Sequence, residues 1–296
     1  MPDELRRVAV GIDFSETSLA SARWTARHLA PGAELVLIHA VYVPEPPGFL
    51  RGRYPPIEQL VTNAQRGAEQ RMGELAVSLG SARVRTEVRV GRPAEVVAEA
   101  ARAMEAELIV AGAHGERSGV WKMLGSTAQQ ILESSGLPVL LARSHGDNPP
   151  RRILLPLDDS AASALAADWS AMLGRHRDAE IVALHVLNPM LHGAAGLAGS
   201  APERRRAYEQ LQQSGREWIE TLLGEHGIDP ARASVEIAIG DPGFEILAAA
   251  RRSNTDLIVM GRRGSGVTRL LVGSVTDYVV RSGGVSVLVV SSGEAG

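Results

Sequence analysis

One segment of this chain is written twice. Residues 107–126 read ELIVAGAHGERSGVWKMLGS, and residues 256–274 read DLIVMGRRGSGVTRLLVGS. In each copy an apolar run ends at a glycine, a second glycine follows three residues later, and a Gly-Ser pair comes after a basic-apolar stretch. An apolar run that stops at a Gly-rich loop and restarts as a helix is how a parallel sheet presents backbone N–H groups to phosphate. Two copies predict two such units, and so a duplicated nucleotide-binding domain.

The rest of the chain repeats with it. Arg7-Val8-Ala9-Val10-Gly11-Ile12-Asp13 matches Arg152-Ile153-Leu154-Leu155-Pro156-Leu157-Asp158, an offset of 158 − 13 = 145. The segment from Ala33 to His39 matches that from Ala179 to His185 at an offset of 146, and Val88–Pro93 matches Ile237–Pro242 at 149. Such drift is what loop-length changes between duplicated domains produce. A length of 296 residues suits two domains of about 150 residues each. The polar stretch 144–150, with its paired prolines, reads as the linker. The domains are therefore expected at 1–145 and 151–296.

Within each half, short apolar, β-branched runs alternate with Ala-rich segments. VAVGI, ELVLIHAV, VRTEVRV, ELIVAG and PVLLA read as strands buried on both faces, which argues for a parallel sheet covered by helices. Helices are expected at roughly 16–30, 58–80, 94–105 and 125–135, with Ser15 and Ser160 as N-caps and Pro93 and Pro242 in first turns. The Pro- and Gly-rich segments 44–57 and 188–202 read as mobile loops without regular structure. Five strands per half with helices on both faces make two tandem doubly wound α/β domains. Ligands of such sheets bind beyond the carboxyl ends of the strands.

Composition narrows the chemistry. The absence of cysteine excludes disulfides, thiol catalysis and cysteine-ligated metals. A net charge of −3 with few aromatics gives no nucleic-acid footprint. No apolar run reaches the ~18 residues that span a membrane, and the N-terminal segment has no signal-peptide core, so a cytoplasmic protein is expected. Lys122 is the sole lysine and is followed by Met123, so no Walker A sequence exists. A phosphate site here must rely on backbone amides, hydroxyls and arginine.

The glycine motif Gly112-x2-Gly115-x9-Gly125-Ser126 is weak as a bare spacing. It gains weight from starting at a strand end, finishing at a helix start, and recurring. Gly112 and Gly115 let backbone approach a phosphate closely, and Gly125 and Ser126 offer helix N-terminal amides and a hydroxyl. The second copy is altered. Only eight residues separate Gly264 from Gly273, a loss that could tilt the loop, and Pro156 replaces Gly11. Arg262 and Arg263 partly offset this, since arginine pairs well with phosphate. His114 is placed to touch a phosphate, with Arg262 read as its counterpart. The first half is the more complete of the two sites.

The G-2x-G-9x-G-[ST] pattern, the strand-terminal Asp13 and Asp158, and the His185-Val186 step resemble the universal stress protein family over essentially the whole chain. That resemblance implies a strand order of 3-2-1-4-5 and ATP bound across the first and fourth strand ends, with any Mg²⁺ carried by its phosphates. It also implies homodimers through the fifth strands, Val139-Leu140-Leu141 and Val287-Leu288-Val289 here. Asp13 would contact ribose or adenine, the backbone near Ala40 and Val41 the adenine edge, and Gly112, Gly115, Gly125 and Ser126 the phosphates, with Gly11, His114 and Thr127 beside them. The second-half set is Asp158, Val186, Leu187, Gly261, Arg263, Gly264, Gly273, Ser274 and Val275. The implied role is a stress-response regulator that signals through conformation or an unknown protein partner. A slow nucleotide hydrolase and a non-binding scaffold are the alternatives.

Several residues receive plainer readings. His39 and His185 are expected to be packed, hydrogen-bonded histidines, and Asp159 a turn or capping residue. Trp24, Trp169 and Trp218 lie on expected helices and read as core. Trp121, between the phosphate glycines, reads as an exposed or lid residue. The arginine runs 204–206 and 251–252 read as solvated helix faces. No histidine cluster has metal-ligand spacing.

Overall fold

The structure is a computed structural model that describes residues 4–44, 56–80, 83–114, 124–143, 148–175, 178–188, 200–262 and 272–291. The chain divides between Asn148 and Pro149 into two compact units.

The first unit runs β1 (Arg7–Gly11), α1 (Glu16–Trp24), β2 (Glu34–Val41), α2 (Ile57–Ser78), β3 (Val84–Val90), α3 (Pro93–Ala103), β4 (Leu108–Gly112), α4 (Ser126–Ser134) and β5 (Val139–Ala142). Its strands are all parallel, in the order 3-2-1-4-5. Val8, Ala9, Val10, Leu108, Ile109 and Val110 are wholly buried. An unbroken apolar run is what a strand covered on both faces needs. β3 is the edge strand and reads differently, with Arg85 and Glu87 among its outward positions.

The second unit repeats the plan: β6 (Arg152–Leu157), α5 (Ala161–Arg175), β7 (Glu180–Leu187), α6 (Ala201–Glu225), β8 (Ala233–Ile239), α7 (Pro242–Arg252), β9 (Leu257–Gly261), α8 (Ser274–Ser282) and β10 (Ser286–Val290). Its order is β8-β7-β6-β9-β10, again all parallel. The doubly wound α/β class and the strand order agree with expectation in both units. One local difference bears on the site. β1 pairs with β4 over three residues, Val8 to Val10, whereas β6 pairs with β9 only at Ile153 and Leu154. Pro156, two residues on, has no N–H to extend a ladder.

Helix starts follow local chemistry. The Ser15 and Ser160 hydroxyls accept from the backbone N–H groups of Ser18 and Ser163, as N-caps do. α1 ends in a π-helical turn, Thr25–Leu29, so the expected helix over 16–30 is split. The two segments expected to be irregular are shorter than the sequence suggests. Ile57 already opens α2, and Ser200 caps α6 with a capping box. The Glu203 carboxylate accepts from the backbone N–H of Ser200, then from its hydroxyl, and both bonds hold it below its ordinary pKa. Residues 45–55 and 189–199 lie outside the described residues. Trp24 and Trp169 are buried, and Trp24 Nε1 donates to the Asn148 carbonyl at 2.9 Å.

Candidate nucleotide site

In each unit the carboxyl ends of the strands carry the motif residues. β1 and β4 are neighbours whose onward connections leave in opposite directions, and so are β6 and β9. Crevices form at such reversals. Gly11 ends β1, with Val97 Cγ2 of α3 3.5 Å from where its Cβ would be. Gly112 ends β4 beside Thr17 and Ser18 of α1. Gly125 is the residue before α4, and Ser126 and Thr127 open that helix exposed. Gly115 lies outside the described residues, as do Trp121, Arg263 and Gly264.

The two glycine loops are pinned alike at their bases. Gly125 N–H donates to the Ala113 carbonyl at 2.8 Å, and Gly273 N–H donates to the Arg262 carbonyl at 2.9 Å. Gly125 (φ −66, ψ 145) and Gly273 (φ −62, ψ 147) share one backbone conformation. The one-residue deletion therefore does not tilt the start of α8. This bond pattern also corrects the alignment. Arg262 corresponds to Ala113, and the counterpart of His114 is Arg263.

The strand-end aspartates organise the turns into the first helix of each unit. Asp13 Oδ1 accepts from the Ser15 N–H at 2.9 Å and from the Ser15 hydroxyl at 2.5 Å. Asp158 Oδ1 accepts from the Ser160 N–H, the Ser160 hydroxyl and the Ser163 hydroxyl. One oxygen of each carboxylate is thus committed to the turn. The second oxygen of each has no partner among the described residues and remains available to a ligand. Capping falls to Ser160, while Asp159 faces the crevice.

His39 and His185 are hydrogen-bonded as expected. Each Nδ1 lies 2.8 Å from a carbonyl, of Ile12 and Leu157 respectively, and must donate to it. Ala40 is half-buried, and the carbonyls of Val41 and Leu187 already accept from Gly91 N–H and Gly240 N–H, each at 3.1 Å.

The second unit holds an open crevice of about 760 Å³. Of the nine second-half positions picked from sequence, seven line it: Asp158, Val186, Leu187, Gly261, Gly273, Ser274 and Val275. The other two are Arg263 and Gly264. A volume of this size falls in the range of small-molecule sites. Trp218 also lines the crevice, half-buried, with its ring 5.4 Å from that of His185. The core reading of Trp218 is therefore wrong, because helical spacing cannot tell a face turned to the sheet from one turned to a crevice.

One further residue, Arg143, was missed, and the burial of Arg262 was not foreseen. Arg143 and Arg262 are the arginines buried among the described residues, and both stand at a loop base. Arg143 Nη1 lies 2.8 Å from His114 Nε2. Guanidinium only donates, so that ring nitrogen carries the lone pair and His114 is neutral with its proton on Nδ1. Burial pushes the Arg143 guanidinium below its ordinary pKa. The signal in sequence was an arginine following the fifth strand, which reads like any surface arginine.

Gly261 has a structural duty besides. A Cβ there would stand 2.6 Å from Ala162 Cβ of α5. Close helix packing demands that glycine.

Among the described residues no three His, Asp or Glu side chains gather as a metal site, and no helix is long and apolar enough to cross a membrane. Of the arginine runs, Arg205 pairs with Glu209 and Arg252 with Glu236.

Comparison with known proteins agrees with this architecture. A universal stress protein of Mycolicibacterium smegmatis is 28% identical over 298 residues, covering 96% of each chain. One of Mycobacterium tuberculosis is 27% identical over 291 residues, covering 93% of this chain and 92% of its own. The crystal structure of a universal stress protein from Archaeoglobus fulgidus matches with a TM-score of 0.71 at 21% identity, over 99% of this chain and 98% of that one. A putative universal stress protein from Pseudomonas aeruginosa matches at 0.65 and 16%, over 98% and 94%. The sequence model of the universal stress protein family matches twice, over residues 4–143 and 150–291, and the chain belongs to that family.

Proposed function

We propose that each half binds one adenine nucleotide, ATP with any Mg²⁺ on its phosphates, and that the protein acts as a stress-response regulator through conformation or partner binding. The observation that carries this reading is the convergence of seven motif residues on one crevice of about 760 Å³. The residues there fit the group. N-terminal amides of α8 and the Ser274 hydroxyl suit phosphate, and the Gly273 N–H bond to the Arg262 carbonyl fixes where that helix starts. Asp158 Oδ2 suits a ribose hydroxyl, and apolar Leu157, Val186 and Met260 suit a base. In the first half Asp13, Gly112, Gly125 and Ser126 hold the matching positions, with Arg143 and His114 at the loop base.

The test is direct. Freshly purified protein is denatured and its supernatant run on ion exchange against nucleotide standards, and stripped protein is titrated with ATP by calorimetry. Co-purified ATP, or a titration reaching up to two nucleotides per chain, is expected. Asp13→Ala and Gly112→Val should each weaken first-half binding while the chain stays folded. No nucleotide and no binding heat would overturn the reading, and ADP released over many turnovers would make the protein a hydrolase instead. Pairing through β5 and β10 into a homodimer belongs to the same reading, and a light-scattering mass of 31.4 kDa would remove that part of it.

A further inference from the structure

We propose that Trp218 is the base-stacking residue of the second-half crevice, and that it makes the second half the tighter of the two sites. This rests on the adenine-nucleotide reading above and adds a residue that the glycine motif does not contain.

α6 carries two distinct apolar faces. Ile219 and Leu223 are buried, at 0% and 5% exposure. Leu211, Ser214, Gly215 and Trp218 recur at i, i+3, i+4 and i+7, so they share another face, and all four line the crevice. Seven residues of helix separate Leu211 from Trp218 by about 10 Å along the axis. Between them Gly215 lets the helix pack closely, with Ile237 Cδ1 and His185 Cδ2 3.3 and 3.8 Å from where its Cβ would be. Leu211 and Trp218 share the crevice with Asp158, Gly261 and Ser274.

The indole is braced. Its ring meets His185 at 69°, edge to face. His185 is itself held by the bond from Nδ1 to the Leu157 carbonyl. A rigid aromatic group at the wall of a crevice gives a planar base a stacking partner at little entropic cost.

The first half lacks this wall. α2 and α6 both end at a left-handed glycine, Gly80 (φ 64) and Gly227 (φ 66), an offset of 227 − 80 = 147. At that offset Arg71 stands where Trp218 stands. The Arg71 guanidinium lies 3.8 Å over the Phe14 ring, and Phe14 in turn sits 4.7 Å from His39. Phe14 adopts a left-handed φ of 62, while its counterpart Asp159 carries no ring. The first half thus spends its cation on its own phenylalanine, and the second half turns an indole to the crevice.

Tryptophan emission reads the proposal on the full chain. The contribution of Trp218 is the wild-type signal minus that of Trp218→Phe. ATP and adenosine are expected to quench it, and inorganic triphosphate is not. On an Asp13→Ala background, which weakens the first half, calorimetry should show Trp218→Leu raising the ATP Kd about tenfold. Trp218→Phe should recover most of that loss, and triphosphate affinity should be the same in all three chains. A merely structural tryptophan would lower triphosphate affinity as well. If ATP binds but Trp218→Leu leaves its Kd unchanged, or if the first half proves tighter in the wild type, this inference fails and the nucleotide reading stands. If ATP gives no binding heat at all, both fail.

Discussion

Replacing Gly261 with alanine lowers the stability of the second half by about 1–3 kcal/mol, the usual cost of forcing a methyl group into a packed contact. The added Cβ would lie 2.6 Å from Ala162 Cβ, 3.1 Å from the Ala162 carbonyl carbon and 3.3 Å from its oxygen. Two of these three atoms are backbone, so α5 must shift as a body. Ala162→Gly in the same chain removes only the nearest atom and is expected to recover part of the loss. Gly112→Ala is the control. There the Cβ would meet the His114 carbonyl oxygen and Thr17 Cγ2 at 3.4 Å, an ordinary contact. Its cost is expected to stay below about 1 kcal/mol, because alanine also restricts the unfolded chain. Urea unfolding of the four chains measures the set. Equal losses for the two glycines would show that the motif glycine serves the same purpose in both halves.

Asp158→Ala is the second large effect, and it should exceed Asp13→Ala. Asp158 Oδ1 serves three donors of the α5 turn, including Ser163 Oγ at 2.7 Å. Asp13 Oδ1 serves two, because Ser18 Oγ donates instead to the Ser15 carbonyl at 3.1 Å. Leaving partly buried donors unsatisfied costs about 2–3 kcal/mol in the first case and about 1–2 kcal/mol in the second. Asparagine at either position keeps an acceptor oxygen and should restore most of the stability. Whatever ATP affinity it fails to restore is the carboxylate's share in holding the ligand. Thermal unfolding and calorimetry on the same preparations separate the two duties. An Asp13→Ala chain less stable than Asp158→Ala would contradict the bond count.

Much of this site was legible before any coordinates. The glycines, the strand-terminal aspartates and the Gly-Ser helix starts were readable because each is a local device, a strand that ends and a helix that begins. Their repetition fixed which copies corresponded. The pairing of Arg262 with His114 was one residue off by the equal spacing of Gly112 to Gly115 and Gly261 to Gly264 alone, and the bonds from Gly125 to Ala113 and from Gly273 to Arg262 agree with the corrected register. Elsewhere the reading failed through contact between segments distant in sequence. The first half looked the more complete because its motif is intact. Yet Phe14, Arg71 and His39 gather there, and nothing in their spacing announced it.

The sequence by itself determined the duplication, the parallel sheets and the place of the glycine loops, because buried strands must be continuously apolar and glycines mark where a strand gives way to a helix. Only the tertiary structure decided that Arg143 and Arg262 are buried at the loop bases, that Gly261 is held by Ala162, and that Trp218 faces the crevice instead of the core. Helical periodicity says which residues share a face. What that face meets depends on how far the neighbouring strands part, and this is a property of the packed sheet.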